Sequence, residues 1–189
     1  EPTKISEFEI RDLRDNDISD DIIYGEGAHF LIVNYQLKSK PARRKEMIKD
    51  SIFVTDTVMV LDDPTMKDSV IIIKSLDRVE DKEITVVDQN FNKDYLSTHI
   101  NKLKPFTDAA KAKGMTVRMA IGKSDPDVIR EFDKATGLGL EYGTADDILL
   151  KTIVRSNPGV VLWKDGVILD KWHINKLPDF DAVAAEYGL

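Results

Sequence analysis

The chain has 189 residues, a length that suits one domain with a well-formed hydrophobic core; 42% of the residues are apolar and 32% are charged. Its formal net charge of −7 argues against a nucleic-acid surface, which needs clustered positive charge. The chain contains no cysteine, which excludes disulfides, thiolate nucleophiles, cysteine-ligated metals and dithiol exchange.

No stretch of the sequence predicts a membrane span, because no apolar run approaches the roughly 18 residues that a span needs. The three histidines have no spacing typical of a metal site, so we expect no metal and no cofactor. Because the chain begins with Glu1 and not with methionine, we expect a processed product or a piece of a longer protein.

The first third of the chain predicts two strands of a main sheet. Residues 5–13 alternate apolar and polar side chains, as a half-buried strand does. Residues 28–35 contain the continuous apolar run Phe30-Leu31-Ile32-Val33, which is typical of a central strand. The basic residues 38–50 predict a loop or a short helix after Pro41.

The region from about 41 to 93 is rich in strand-forming residues. Its strands are predicted at 52–61, 70–76 and 84–87, with breaks at Asp62-Asp63-Pro64 and at Glu80-Asp81-Lys82. We interpret this region as an insertion or as an extension of the main sheet.

The second half predicts alternating helices and strands. Residues 94–113 predict a helix with the apolar stripe Leu96, Ile100, Leu103, Phe106 and Ala110, kinked by Pro105. The elements that follow are a strand at 115–121, a helix from a Ser124 cap to Thr136, an extended piece ending near Tyr142, a helix opened by the capping pair Asp146-Asp147, and a closing helix at 179–187.

A β-hairpin follows Asn157-Pro158. The dipeptide Asp165-Gly166 separates two apolar runs, and this pair favours a tight turn. Pro158 cannot donate a ladder hydrogen bond, so we expect it at the beginning of the first strand. Helix, Asn-Pro, strand, turn and strand is the order in which thioredoxin-like folds close.

Residues 145–166, with the sequence ADDILLKTIVRSNPGVVLWKDG, resemble the thioredoxin-like domain attached to certain bacterial DoxX-family membrane proteins. The match continues through residues 171–173 and 177–180, and residues 30–38 are similar to the first core strand of that family. The resemblance is good over about 94–180, fair over 5–38 and absent over about 41–93.

This resemblance implies a single α/β domain over 1–189, with a thioredoxin-like three-layer fold and a β-rich insertion at about 41–93. It also implies a cis proline at Pro158. A membrane tether through a segment absent from this chain would place the domain at the cell envelope, on a side of the membrane that the sequence does not give.

Redox thioredoxins carry a dithiol at the start of the helix that contains the proline. Counting back from Pro105 places that position at Ser97-Thr98-His99-Ile100, where no side chain is a thiol. We therefore expect no thiol–disulfide activity and assign no catalytic residue. The fold can retain a binding surface beside Pro158, where the edge of the sheet could accept an extended protein or peptide. The residues predicted to form this groove are Ser97, His99, Arg155, Asn157 and Pro158.

All of these residues except Ser97 also have a structural interpretation, and so does His173. Asn157-Pro158 can be a turn that fixes the start of the strand, and Arg155 can complement a helix dipole in place of binding an anion. His99 can be solvated on the polar side of its helix. His173 can be a half-exposed residue at a strand end or a proton donor.

Three functional hypotheses follow from these features. The first is a redox-inactive thioredoxin-like binding or scaffolding domain of a membrane-associated protein. The second is an enzyme that works without thiols through His99 or His173, although no nucleophile–base pair or phosphate loop supports it. The third is an interaction module in which 41–93 forms a homotypic or partner interface through an exposed sheet edge. The oligomeric state is left open.

Overall fold

The computed structural model describes residues 8–59 and 70–189 and has an α/β fold with a central mixed sheet, as the sequence predicts. The helices are α1 (Ser19–Ile23), α2 (Lys93–Thr98), α3 (Lys104–Ala112), α4 (Pro126–Thr136), α5 (Asp147–Ile153) and α6 (Phe180–Tyr187). A π-helical turn, His99–Leu103, joins α2 to α3, and a 3₁₀ turn, Ile174–Lys176, follows the last strand. The strands are β1 (Ile10–Asp12), β2 (Ala28–Asn34), β3 (Ser39–Met59), β4 (Val70–Phe91), β5 (Thr116–Gly122), β6 (Glu141–Ala145), β7 (Gly159–Lys164) and β8 (Val167–His173).

The central sheet has six strands in the order β1-β6-β5-β2-β7-β8. Strands β2, β5 and β6 are parallel, whereas β1, β7 and β8 are antiparallel to their neighbours. The predicted central strand is confirmed, because β2 pairs with β5 on one side and with β7 on the other.

Both faces of this sheet are covered, which gives three layers. Phe30 and Ile32 of β2 point into a core that side chains of α2, α3, α4 and α6 complete. Leu31 and Val33 point the other way, into a core completed by α1 and α5. The continuous apolar run of β2 is explained by this burial on both sides.

The helical segment from Lys93 to Ala112 is continuous, but its buried stripe differs from the predicted one. Leu96 is only half-buried and Ile100 is exposed. The residues that face the core are Tyr95, His99, Leu103, Phe106 and Ala110. The π-helical turn shortly before Pro105 accounts for the difference. The Lys104 N–H donates to the His99 carbonyl five residues earlier, so this turn holds one residue more than an α-helical turn and shifts which residues face the core.

Strands β3 and β4 form a separate sheet of two strands, and Pro41–Asp88 is a compact unit of its own. The prediction of a loop or short helix within 38–50 is wrong, because β3 occupies it. The expected break at Glu80-Asp81-Lys82 is also wrong, since β4 runs through it. Charged side chains there form ion pairs on the ribbon and do not interrupt it. The break predicted at 62–64 lies outside the described residues.

The hairpin after Pro158 is confirmed. Asp165 and Gly166 both have positive φ, 48° and 80°, as the tight turn between β7 and β8 requires. The Asn157–Pro158 peptide bond is cis, as expected, and Pro158 directly precedes β7.

Helix starts were predicted less accurately. The cap of α4 is Asp125 and not Ser124, because the Asp125 carboxylate accepts the Asp127 N–H at 2.8 Å. The capping role of Asp146 at α5 is confirmed.

Within residues 8–59 and 70–189, no helix combines the length and the apolar character that a bilayer crossing needs.

Candidate functional site

A cleft of about 470 Å³ opens at one end of the central sheet. The start of α2, the turn before β7 and the chain that follows β8 form its walls. Its lining residues are Lys38, Asn92, Asp94, Tyr95, Thr98, Asn157, Pro158, His173, Ile174 and Asn175. The structure thus brings Asn157 and Pro158 beside α2, where the sequence predicted a groove.

The side chain of Asn157 holds the turn in place. Its Nδ2 donates to the Gln36 carbonyl at 2.8 Å, and its Oδ1 accepts the Gln36 N–H at 3.3 Å. Pro158 is buried, and its carbonyl accepts the hydroxyl of Ser156. Both residues therefore line the cleft, but the Asn157 amide serves the fold and is already occupied.

The main-chain groups of Asn157, unlike its side chain, are not hydrogen-bonded within the described part of the fold. Within residues 8–59 and 70–189, no group hydrogen-bonds to the main-chain N–H or C=O of Asn157. From Gly159 onward β7 pairs with both β2 and β8, so the expected sheet edge beside Pro158 is wrong. The main chain of the turn that precedes β7 lies outside this ladder.

Two predicted groove residues lie outside the cleft. Ser97 is exposed and its hydroxyl accepts the Asn101 side chain at 2.9 Å, on a part of the helix that does not line the cleft. Arg155 is exposed beyond the end of α5 and does not line it. The helix begins at Lys93, one residue before its predicted start, whereas the count from Pro105 placed the dithiol position four residues further on, at Ser97; Asn92, Asp94 and Tyr95 at the helix start line the cleft.

His99 is fully buried, so its predicted place on the solvated side of the helix is wrong. Its Nδ1 donates to the Tyr95 carbonyl at 2.7 Å, which leaves Nε2 as an acceptor, 3.5 Å from Nδ2 of Asn34. Burial lowers the pKa of His99 to about 4, and the hydrogen bond to Tyr95 opposes this shift. A neutral His99 is therefore a core residue beneath the cleft.

Tyr95 connects the cleft with this buried network. Its hydroxyl donates to Oδ1 of Asn34 at 2.7 Å, and burial raises its pKa above the ordinary value. Asn34 is itself fully buried at the end of β2. The three side chains of Asn34, Tyr95 and His99 satisfy one another inside an apolar core, next to the ring of Phe132.

The sequence analysis missed Asn34, Tyr95 and Lys38. Asn34 ends a run of four apolar residues, and such an amide at a strand end is a recognisable signal of a buried polar contact. Lys38 places its ammonium 5.9 Å from the centre of the Tyr95 ring, at the mouth of the cleft. No local pattern could have indicated that contact.

The cleft combines polar groups with an aromatic ring but has no obvious catalytic arrangement. His173 is exposed there, and its Nδ1 accepts the Asn175 N–H at 3.0 Å. Throughout the described part of the chain, no group of three histidine, aspartate or glutamate residues is placed to hold a metal ion. The geometry is that of an open cleft.

Comparison with known proteins adds no name to this site. No protein-family model and no curated protein matches the chain.

Proposed function

We propose that this chain is a thioredoxin-like domain without redox activity that binds an extended protein or peptide segment in the cleft beside Asn157. The observation that carries the proposal is Asn157, which lines the cleft and whose main-chain N–H and C=O have no hydrogen-bond partner among the described residues. An extended segment can form backbone hydrogen bonds with such a wall.

The thioredoxin-like assignment is supported by the order of the elements. A central parallel strand, the helix with Pro105, the strand–helix–strand unit and the final hairpin follow one another as the resemblance implies. Strands β3 and β4 enter between β2 and α2, at the loop where redox relatives would carry the dithiol. The complete absence of cysteine agrees with a lost redox function.

Membrane association is a further part of the proposal. It is supported by the residues 145–166 that resemble the domain of DoxX-family membrane proteins. In this proposal, the domain belongs to a larger cell-envelope protein and presents the cleft to a partner near the membrane.

The cleft has the chemistry that an extended segment needs. Lys38 and Asp94 provide one charge of each sign, and Tyr95 provides a ring against which a side chain can pack. The area is small, so we expect affinities in the micromolar range at about 10⁻⁶ M, which is typical of weak and transient interfaces.

Peptide binding tests the proposal. Linear peptides are selected against the protein from a displayed random library, and their affinities are then compared between two variants. Thr98→Arg fills the cleft with a long charged side chain, whereas Ser97→Arg makes a similar change at the neighbouring exposed position outside the cleft. We expect Thr98→Arg to abolish binding and Ser97→Arg to leave it unchanged. Equal affinities for the two variants would contradict the proposal.

The enzymatic alternative loses one of its two candidates, because His99 is buried and cannot contact a ligand in the cleft. His173 remains accessible there. The interaction-module alternative is favoured by a separate observation, the exposed apolar side chains of the β3–β4 ribbon.

A further inference from the structure

The β3–β4 ribbon leaves sheet edges open. Its sheet has only two strands, so among the described strands each of the two has one edge without a neighbour. Large apolar side chains on the ribbon are more than half exposed: Phe53 at 58%, Ile72 at 65% and Leu76 at 55%. An isolated two-stranded ribbon is only marginally stable in water, and an open edge is a template for another strand.

One face of β4 carries charges of both signs. Because side chains alternate along a strand, the even-numbered residues of β4 share a face. Two ion pairs to β3 lie on this face: Lys82 contacts Asp50 at 3.1 Å and Asp88 contacts Arg44 at 2.6 Å. Between residues 74 and 88, the charged side chains of this face are Lys74, Arg78, Glu80, Lys82 and Asp88.

We propose that β4 pairs antiparallel with β4 of a second copy of this chain, around a two-fold axis at Asp81. In this register Glu80 faces Lys82 of the second copy, and Lys74 faces its Asp88. Leu76 faces Val86, so exposed Leu76 is covered by a half-buried valine. The two-fold axis repeats every one of these contacts, and the two ribbons become one four-stranded sheet.

The pairing extends an ion-pair network that already exists within each copy. Lys82 contacts Asp50 at 3.1 Å, and Glu80 accepts a hydrogen bond from Arg78 at 2.6 Å. Placing Glu80 beside Lys82 of the second copy joins both pairs into a row of alternating charge. Networks of this kind contribute more than isolated surface pairs. The costs are one like-charge contact, Asp81 with Asp81, on the opposite face at the axis, and two charged side chains that face apolar ones, Arg78 with Ile84 and Glu83 with Val79.

The charge distribution selects β4 over β3 for this contact. Lys40–Asp50 carries five basic and two acidic side chains, so two β3 edges would repel each other. Lys74–Asp88 carries three basic and five acidic side chains, with both signs interspersed, which permits self-complementary pairing. Pairing of β3 with β4 of another copy would leave open edges and would grow without closing.

Sedimentation equilibrium of the full chain tests the proposal. We expect a concentration-dependent dimer, and Glu80→Lys or Lys82→Glu alone should each weaken it about tenfold, because each creates two like-charge contacts across the axis. An equimolar mixture of these two variants should regain the wild-type affinity as a heterodimer, since opposite charges then face each other at both positions. This recovery also shows that both variants are folded.

Lys49→Glu on β3 is the matched control. It makes the same change of charge as Lys82→Glu, on the strand that the proposal leaves outside the contact, and should not alter the dimer. A monomer at every concentration would overturn the proposal, as would a mixture no tighter than either variant alone. Growth into oligomers of increasing size would overturn the proposal in favour of β3–β4 pairing. A dimer weakened by Lys49→Glu would overturn it in favour of a contact through β3.

Discussion

The side chain of Asn157 pairs with the main chain of Gln36 through two hydrogen bonds, at 2.8 Å from Nδ2 to the carbonyl and at 3.3 Å to Oδ1 from the N–H. It therefore occupies the place that a neighbouring strand would take beyond the end of β2. The pair fixes the turn before β7 against the segment that follows β2, and this defines one wall of the cleft.

Replacing Asn157 should lower stability through this pair. We expect Asn157→Ala to reduce the free energy of unfolding by about 1–2 kcal/mol, because the Gln36 N–H loses its acceptor and the Gln36 carbonyl keeps only the longer contact from the Tyr95 hydroxyl, at 3.4 Å. Asn157→Asp keeps the acceptor for the Gln36 N–H but cannot donate to the carbonyl, so it should also destabilise. Urea unfolding measures both changes, and two unchanged midpoints would contradict the structural role.

Burial of His99 should make stability depend on pH. The unfolded chain protonates this side chain near its ordinary pKa of 6.5, whereas the folded chain does so only near 4. The unfolded state therefore binds more protons between these values, and the free energy of unfolding falls as the pH falls through this window. We expect this group to contribute a loss of about 3 kcal/mol over the window.

His99→Gln provides the comparison for this prediction. The free energy of unfolding of this variant is measured by urea titration at several pH values. Its pH dependence comes from all titrating groups except His99. The difference between wild type and this variant isolates the histidine. A difference that stays constant from pH 6.5 to pH 4 would show that His99 is not buried in neutral form.

Tyr95→Phe should test the buried network. The change removes the hydroxyl that donates to Asn34 Oδ1 at 2.7 Å and leaves that oxygen without its short hydrogen bond in the core. We expect a loss of about 1–3 kcal/mol in the free energy of unfolding. The double variant with Asn34→Leu should lose less free energy of unfolding than the sum of the two single losses, because it removes both hydrogen-bonding partners and leaves neither unpaired.

Disulfide reduction should be absent. In an insulin-precipitation assay we expect no turnover above the dithiothreitol background, because no residue of this chain can form the mixed disulfide. Activity that scales with protein concentration in a preparation free of contaminating thioredoxins would contradict this expectation.

The unit Pro41–Asp88 should be removable. The Asn92 N–H donates to the Lys38 carbonyl at 2.9 Å, so the two chain segments that flank this unit are already adjacent. We expect a variant in which a short glycine-containing turn joins Lys40 to Gln89 to unfold cooperatively. Loss of the cooperative thermal transition would show that the remaining chain depends on the excised residues.

The sequence predicted those elements whose signals are local. The two-sided burial of β2 follows from its apolar run, and the turn at Asp165-Gly166 follows from backbone preference. The long strands β3 and β4 were underpredicted, because their charged residues resemble breaks until cross-strand partners are known.

The candidate site was predicted only in part for a similar reason. Pro158 and Asn157 line the cleft, and the turn before the start of a strand that predicted their place is a local feature. Ser97 and His99 were misplaced, because counting from Pro105 assumed a helix start that the chain does not use. The contact of Tyr95 with Asn34 joins residues 61 positions apart and depends on tertiary packing alone.

The π-helical turn at His99–Leu103 holds one residue more than a regular α-helix would use to connect the same buried side chains. Tyr95, His99, Leu103 and Thr107 recur at intervals of four, and in a regular α-helix each such step drifts by about 40° around the axis. The wide turn absorbs this drift. Deleting exposed Asn101 would restore ordinary α-helical spacing to the same inward-facing residues, so helices differing in length by one residue can present the same face to the core.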